Sequence, residues 1–177
     1  MSNSTAITAE AIELALLRVF DHRRNFVIPN VSWGFRHLNY EIDVMVVTAS
    51  LYAYDIEIKI SAGDLKRDAA KDKWRYCRDQ HYFRKSYFAI PEALLKYAVF
   101  IPDHAGIIAV SYDSSRAWFY AHEVRAAVVD GLAKKVTDAE LNQLGRLTML
   151  RMWDLKRTIR SLSMREPKPA ETESTVK

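Results

Sequence analysis

The sequence predicts an α/β fold, a mixed β-sheet flanked by helices and closed by one long C-terminal helix. Three observations carry that prediction. Short runs rich in β-branched and aromatic residues, several alternating apolar with polar, recur between residues 26 and 125. Segments of helical period separate them, two opened by capping signals at Ser61 and Thr137. The resulting order, helix, three strands, helix, strand, helix, two strands, helix, interleaves the two kinds of element within one domain.

Each element has its own warrant. Thr8 is a candidate N-cap for a helix to about His22, with Ile12, Leu16, Val19 and Phe20 at helical spacing. "FVIPNVSW" reads as a first strand, and Pro29 puts it at an edge or a bulge. "EIDVMVV" and "YAYDIEIKI" form the second and third strands, with "TAS" in the hairpin connection. Ser61 and Asp64 then open a helix expected to run to about Asp79, with Leu65, Ala69 and Tyr76 facing inward. "SYFAIP" is a fourth strand, "EALLKYAVF" a short helix, and "AGIIAVSY" and "AWFYAHEV" are two strands joined at Asp113-Ser114-Ser115. Thr137 and Glu140 cap the final helix, about 138–163, with Leu141, Thr148, Met152, Leu155, Ile159 and Leu162 along one face. Residues 164–177 carry too little apolar surface to fold and are expected to be a disordered tail.

Composition narrows the class. The length of 177 residues fits one domain, and 49% hydrophobic with 27% charged residues is a globular balance. No apolar run reaches the roughly 18 residues of a membrane span, and the N-terminus lacks a signal-peptide pattern. One cysteine, Cys77, excludes an intrachain disulfide and a cysteine-based zinc cluster, so a reducing, cytoplasmic setting is inferred. The formal charge of +4 is compatible with a nucleic-acid partner without requiring one. Histidines occur without HExxH spacing, and there is no P-loop and no G-x-S-x-G elbow. Zinc hydrolase, ATP-driven and covalent serine chemistry are therefore unsupported.

The polar pattern of the third strand is the informative one. Asp55, Glu57 and Lys59 alternate with Ile56, Ile58 and Ile60, which puts the three charges on one face. Asp43 sits between Ile42 and Val44 on the preceding strand, where a hairpin can bring it to Glu57. Converging carboxylates repel unless a cation neutralises them, and Mg²⁺ prefers oxygen ligands with water and substrate phosphate. A solvated strand face with cross-strand ion pairs is the ordinary alternative, and for Asp55 the preferred one. Ser61 reads first as a helix cap. The basic run on the following helix reads first as a solvated face with Asp68 and Asp72 at pairing distance; in a phosphate-cleaving site the Ser61 hydroxyl, with Lys66 and Lys73, would meet the nucleic-acid backbone.

Helix, strand, strand with Asp, strand with Glu-x-Lys, then helix resembles the PD-(D/E)xK nuclease superfamily. The wording of "EIDVMVV", "EIKISAGDLKRDAAKDKW", "YFAIP" and "IPDHAGIIAV" resembles MmcB-like DNA repair proteins and related phage-encoded nuclease-like proteins. "KVTDAELNQLGRLTMLRMWDLK" resembles the C-terminal part of the phage group, so the likeness runs from about Phe26 to Lys156. The resemblance implies a restriction-endonuclease-like core and a Mg²⁺- or Mn²⁺-dependent DNA endonuclease or exonuclease. Asp43, Glu57 and the Ile58 carbonyl would hold the metal. Lys59 would activate water or stabilise charge, and a first-helix acid, Glu13 in preference to Glu10, would assist. Ile42 stands where the superfamily's name-giving proline would be. A DNA-binding repair accessory that keeps the fold without cutting is the alternative, and a homodimer is compatible with either.

Overall fold

The computed structural model describes residues 6–36, 38, 40–69 and 77–164. Its elements follow the expected order: α1 (Ala9–Val19), β1 (Phe26–Val31), β2 (Ile42–Val47), β3 (Ala53–Ile58), α2 (Ala62–Ala69), β4 (Lys85–Pro91), a 3₁₀ segment (Glu92–Phe100), β5 (Gly106–Asp113), β6 (Trp118–Arg125) and α3 (Asp138–Ser163). The six strands form one mixed sheet in sequential order, β1 to β6. The β1–β2, β2–β3 and β5–β6 pairs are antiparallel, whereas β3–β4 and β4–β5 are parallel.

The capping signals do what the sequence implied. The Thr8 hydroxyl accepts from the Ala11 N–H at 3.2 Å, and Thr137 and Glu140 form a complete capping box at the start of α3. At the β5–β6 turn, Asp113 Oδ1 accepts from the Ser115 N–H and hydroxyl at 2.9 and 2.6 Å. Pro29 lies on β1, an edge strand, as its missing N–H requires. Its neighbour Asn30 has φ 52°, between the paired positions Pro29↔Val44 and Val31↔Ile42.

Each face of the sheet buries a different set of side chains. On one face α1 sets Ile12 and Leu16 against Val44, Val46, Ile56, Ile58, Ala89 and Ile108. Each fully buried aliphatic side chain of this kind contributes about 1.5–3 kcal/mol. On the other face Leu144 and Leu147 of α3 meet Met45, Val47, Ala53 and Phe83. Leu65 of α2 packs with Phe88, Ile90 and Ile107 farther along that face. Asp55 and Glu57 point into this second face, in register with Met45 and Phe88 respectively.

Two expected helices are present, and the stripe expected on a third needs correction. The short helix expected at Glu92–Phe100 is a 3₁₀ helix: Pro91 offers no side-chain cap, and the segment fully buries no residue. Of the stripe expected on α3 only Leu141 packs against the domain, while Thr148, Met152, Leu155, Ile159 and Leu162 stay exposed; the helix docks instead through Leu144 and Leu147. The helix after Ser61 is seen over Ala62–Ala69 and again at residues 77–79. Tyr76, Lys73 and the expected tail beyond 164 lie outside the described residues.

A carboxylate–lysine cluster at the end of the β2–β3 hairpin

The hairpin puts its charges at the C-terminal end of β3, inside the sheet and not at a lateral edge. A tight connection over residues 48–52 sets the register: the Thr48 N–H donates to Tyr52 O at 2.9 Å, and Leu51 takes φ 67°. Val44 then pairs with Ile56, so Asp43 stands one step beyond, towards Glu57. Asp43 Oδ2 accepts from the main-chain N–H of Ile58 at 2.8 Å, which fixes the carboxylate across the hairpin. β3 ends as Lys59 donates its N–H to Ala89 O at 3.1 Å, and Ser61 turns the chain into α2. The Ser61 hydroxyl accepts from the Asp64 N–H at 3.1 Å and donates to the Asp64 carboxylate at 2.7 Å.

Lys59 is the centre of the arrangement. Its Nζ lies 2.7 Å from Glu57 Oε2, 3.6 Å from Asp43 Oδ2 and 3.8 Å from Asp68 Oδ1. Burial alone would lower the lysine, but Glu57 first, then Asp43 and Asp68, override it and hold the ammonium above its ordinary value. Lys59 is therefore charged. A group so held keeps its proton.

The solvated-face explanation of the alternating charges does not hold. Glu57 and Asp55 are each only 2% exposed, and Asp68 only 1%. Burial of ionised groups is costly unless they are paired, so a tightly organised polar interior is needed. Asp55, expected to be solvated, lies deeper on the same face; its charge helps push the Tyr40 phenol up, after burial itself, and Glu57 adds to the effect. The Tyr40 hydroxyl is 2.7 Å from Cys77 Sγ.

Glu13 is half-buried on α1, and its carboxyl is raised above the usual range by burial, then by the negative charges of Asp43 and Glu10; Arg151 opposes this. Glu13 thus feels the charge of Asp43, but it lines a separate concavity with Leu14, Leu17, Val27 and Pro29, and Glu10 is exposed. Lys66 is not on the cleft. It projects toward the rings of Tyr97 and Phe100, 5.9 and 5.2 Å from their centroids. The same helix instead presents Asp64, Arg67 and Asp68 to a cleft of about 330 Å³ that also includes Asp43 and Lys59. Arg67 pairs there with Asp64.

Sequence reasoning treated Asp68 as a surface partner and passed over Tyr40. Asp68 was findable: it follows the inward-facing Leu65 by three residues, which places both on the buried side of α2. Tyr40 carries no such periodic signal.

The residues suit an oxygen-seeking divalent cation in kind, since Asp43 and Glu57 offer only oxygen and already share one positive partner. Among the described residues no group of three histidine, cysteine or carboxylate side chains has metal-ligating geometry. An ion would thus rely on two carboxylates with main-chain oxygen, water and substrate. Other concavities exist, including one of about 230 Å³ where His81 Nδ1 meets Asp130 Oδ2 at 2.8 Å, but none of the acids around Lys59 lines it. No helix is long and apolar enough to cross a membrane among the described residues.

No family model matches the chain, and no curated protein matches it. Among solved structures, it is similar to a protein of unknown function from Silicibacter pomeroyi, at 17% identity and a TM-score of 0.53. That similarity covers 97% of this chain and 99% of the other, and it supports the fold alone.

Proposed function

We propose that the chain is a Mg²⁺- or Mn²⁺-dependent phosphodiester hydrolase acting on DNA. The observation that carries this reading is the convergence of Asp43 and Glu57 on Lys59 beside a solvent-open cleft. The choice of DNA, and a role in repair or phage DNA processing, rests on the resemblance of the motifs to PD-(D/E)xK proteins. A divalent cation held by Asp43, Glu57 and the Ile58 carbonyl would supply the positive charge that lowers the barrier to attack on phosphorus.

The chain's own groups then have distinct tasks. The Ile58 N–H orients the Asp43 carboxylate. The Lys59 ammonium offers charge to an oxyanion developing on the phosphate. Arg67, on the cleft wall, positions a backbone phosphate more directly than Lys66, which lies on the other flank. Ser61 is committed to Asp64, and its first task is to start α2.

The test compares wild type with Glu57→Ala and Lys59→Ala on supercoiled, linear, single-stranded and branched DNA in Mg²⁺ and Mn²⁺. Cleavage by wild type that falls at least about 100-fold in either variant supports the assignment. Equal cleavage by all three proteins sinks it.

A second reading, a DNA-binding accessory that does not cut, is favoured by the 2.7 Å pairing of Lys59 with Glu57, which gives the cluster a self-sufficient structural role. It expects no cleavage by any of the three proteins and salt-sensitive DNA binding in all of them.

A further inference from the structure

The second half of α3 carries an apolar seam that the described residues do not cover. The last tie to the sheet is Arg151, whose guanidinium donates to the main-chain carbonyls of Pro29 and Asn30. Beyond it Met152, Leu155, Ile159 and Leu162 are 44%, 60%, 54% and 58% exposed. Their spacing alternates three and four residues. At 100° per residue the four side chains fall within an arc of about 80°, the spacing of a coiled-coil seam, and the exposed Met149, Leu150 and Trp153 lie to one side of it. Isoleucine and leucine stand at the alternating positions that such a seam uses.

Charge selects the occupant. Residues 149–164 contain four cations, Arg151, Lys156, Arg157 and Arg160, against the single acid Asp154, which Arg157 already pairs at 3.1 Å. Arg151 and Lys156 border the seam at the positions that face across a helix pair. In a parallel pair of two copies Arg151 would face Lys156, and an antiparallel pair would align the same basic flanks. Either arrangement sets like charges together. Residues 165–177 have Val176 as their one large aliphatic residue and so lack the side chains to fill the seam.

We infer that the distal half of α3 is a docking surface for an acidic α-helix of a partner protein, seated along Met152, Leu155, Ile159 and Leu162 with Glu or Asp facing Arg151 and Lys156. None of the four seam residues lines the cleft beside Lys59, so docking there would recruit the domain and leave the cleft open.

The experiment titrates the full chain with two helical heptad peptides that share an Ile/Leu seam, one flanked by Glu and one by Lys, with calorimetry and sedimentation as readouts. The expected result is saturable one-to-one binding of the Glu-flanked peptide, at least about tenfold tighter than the Lys-flanked one and weakened by salt. Leu155→Asp with Ile159→Asp should abolish it with an unchanged melting temperature, because both positions are already exposed. Absence of binding to the Glu-flanked peptide overturns the inference, as does equal affinity for both peptides. So does a concentration-dependent dimer of the chain that the same double substitution dissolves, or preferential capture by anionic phosphatidylserine vesicles over the Glu-flanked peptide.

Discussion

Glu57 Oε2 and Lys59 Nζ meet at 2.7 Å although both belong to one short stretch of chain, two residues apart on the same face. Strand geometry alone points such side chains in the same direction, and burial turns that parallel alignment into a tight pair. Asp43 and Asp68 approach the same ammonium from β2 and α2. Three consecutive elements thus share one charge.

Removal of that charge should be costly. Lys59→Met should destabilise the fold by about 3–5 kcal/mol, because it deletes the shared partner of buried carboxylates. Adding Glu57→Gln should recover part of the loss. Chemical denaturation of wild type and the two variants checks this; a double variant no more stable than Lys59→Met would refute the coupling.

Divalent cations should act through the same acids. Mn²⁺ at about 100 times its dissociation constant should stabilise the wild type by about 2.7 kcal/mol, a melting shift of several degrees. Asp43→Asn should remove most of that shift. An equal rise in both proteins would place the ion elsewhere.

Glu13 predicts a pH-dependent stability difference. Its folded carboxyl is raised above the ordinary value of 4.5, so its favourable contribution is complete below that value and is lost as pH rises through the folded one. Glu13→Gln, which stays neutral, should therefore melt higher than wild type at pH 7. The gap should close as the pH falls below about 4.5. Thermal melts from pH 3 to 8 decide it, and a gap independent of pH would contradict the assignment.

Gly106 should not tolerate a side chain. A Cβ there would stand 2.4 Å from the Tyr87 ring and 2.8 Å from the Ala127 main-chain nitrogen. Gly106→Ala should cost about 1–3 kcal/mol through displaced packing. Because Tyr87 belongs to the α1-facing core, its ring environment should change by near-ultraviolet dichroism.

Thr137→Ala tests the anchoring of α3. It removes one half of the box with Glu140 and should lower stability by about 1 kcal/mol. The melting temperature checks the effect, which should be absent in Thr137→Ser.

The order of elements was legible because strand and helix periods differ and because Thr8, Ser61 and Thr137 mark helix starts that the structure contains. Asp43, Glu57 and Lys59 were singled out for the same reason: acids among isoleucines and valines stand out. The depth of the cluster was not legible. A period-two pattern tells which residues share a face, but not which face is covered; that depends on α2 and α3 folding back over the sheet. Asp55 and Asp68 were therefore read as surface groups and are buried. Likewise the basic run after Ser61 could not reveal that Arg67 faces the cleft while Lys66 lies against Tyr97 and Phe100. The stripe on α3 misled for the converse reason, since its pattern continues past the point where the sheet ends.

The alternation in β3 also works as a register lock. A slip of one residue against β2 would turn Asp55 and Glu57 into the layer beneath α1, among Val44, Val46 and Ala89, and would bring Ile56 and Ile58 out in their place. An all-apolar strand could slide at little cost, whereas this one admits a single pairing. The acids thereby reject misaligned hairpins during folding, a service they perform whether or not the cluster ever meets a phosphate.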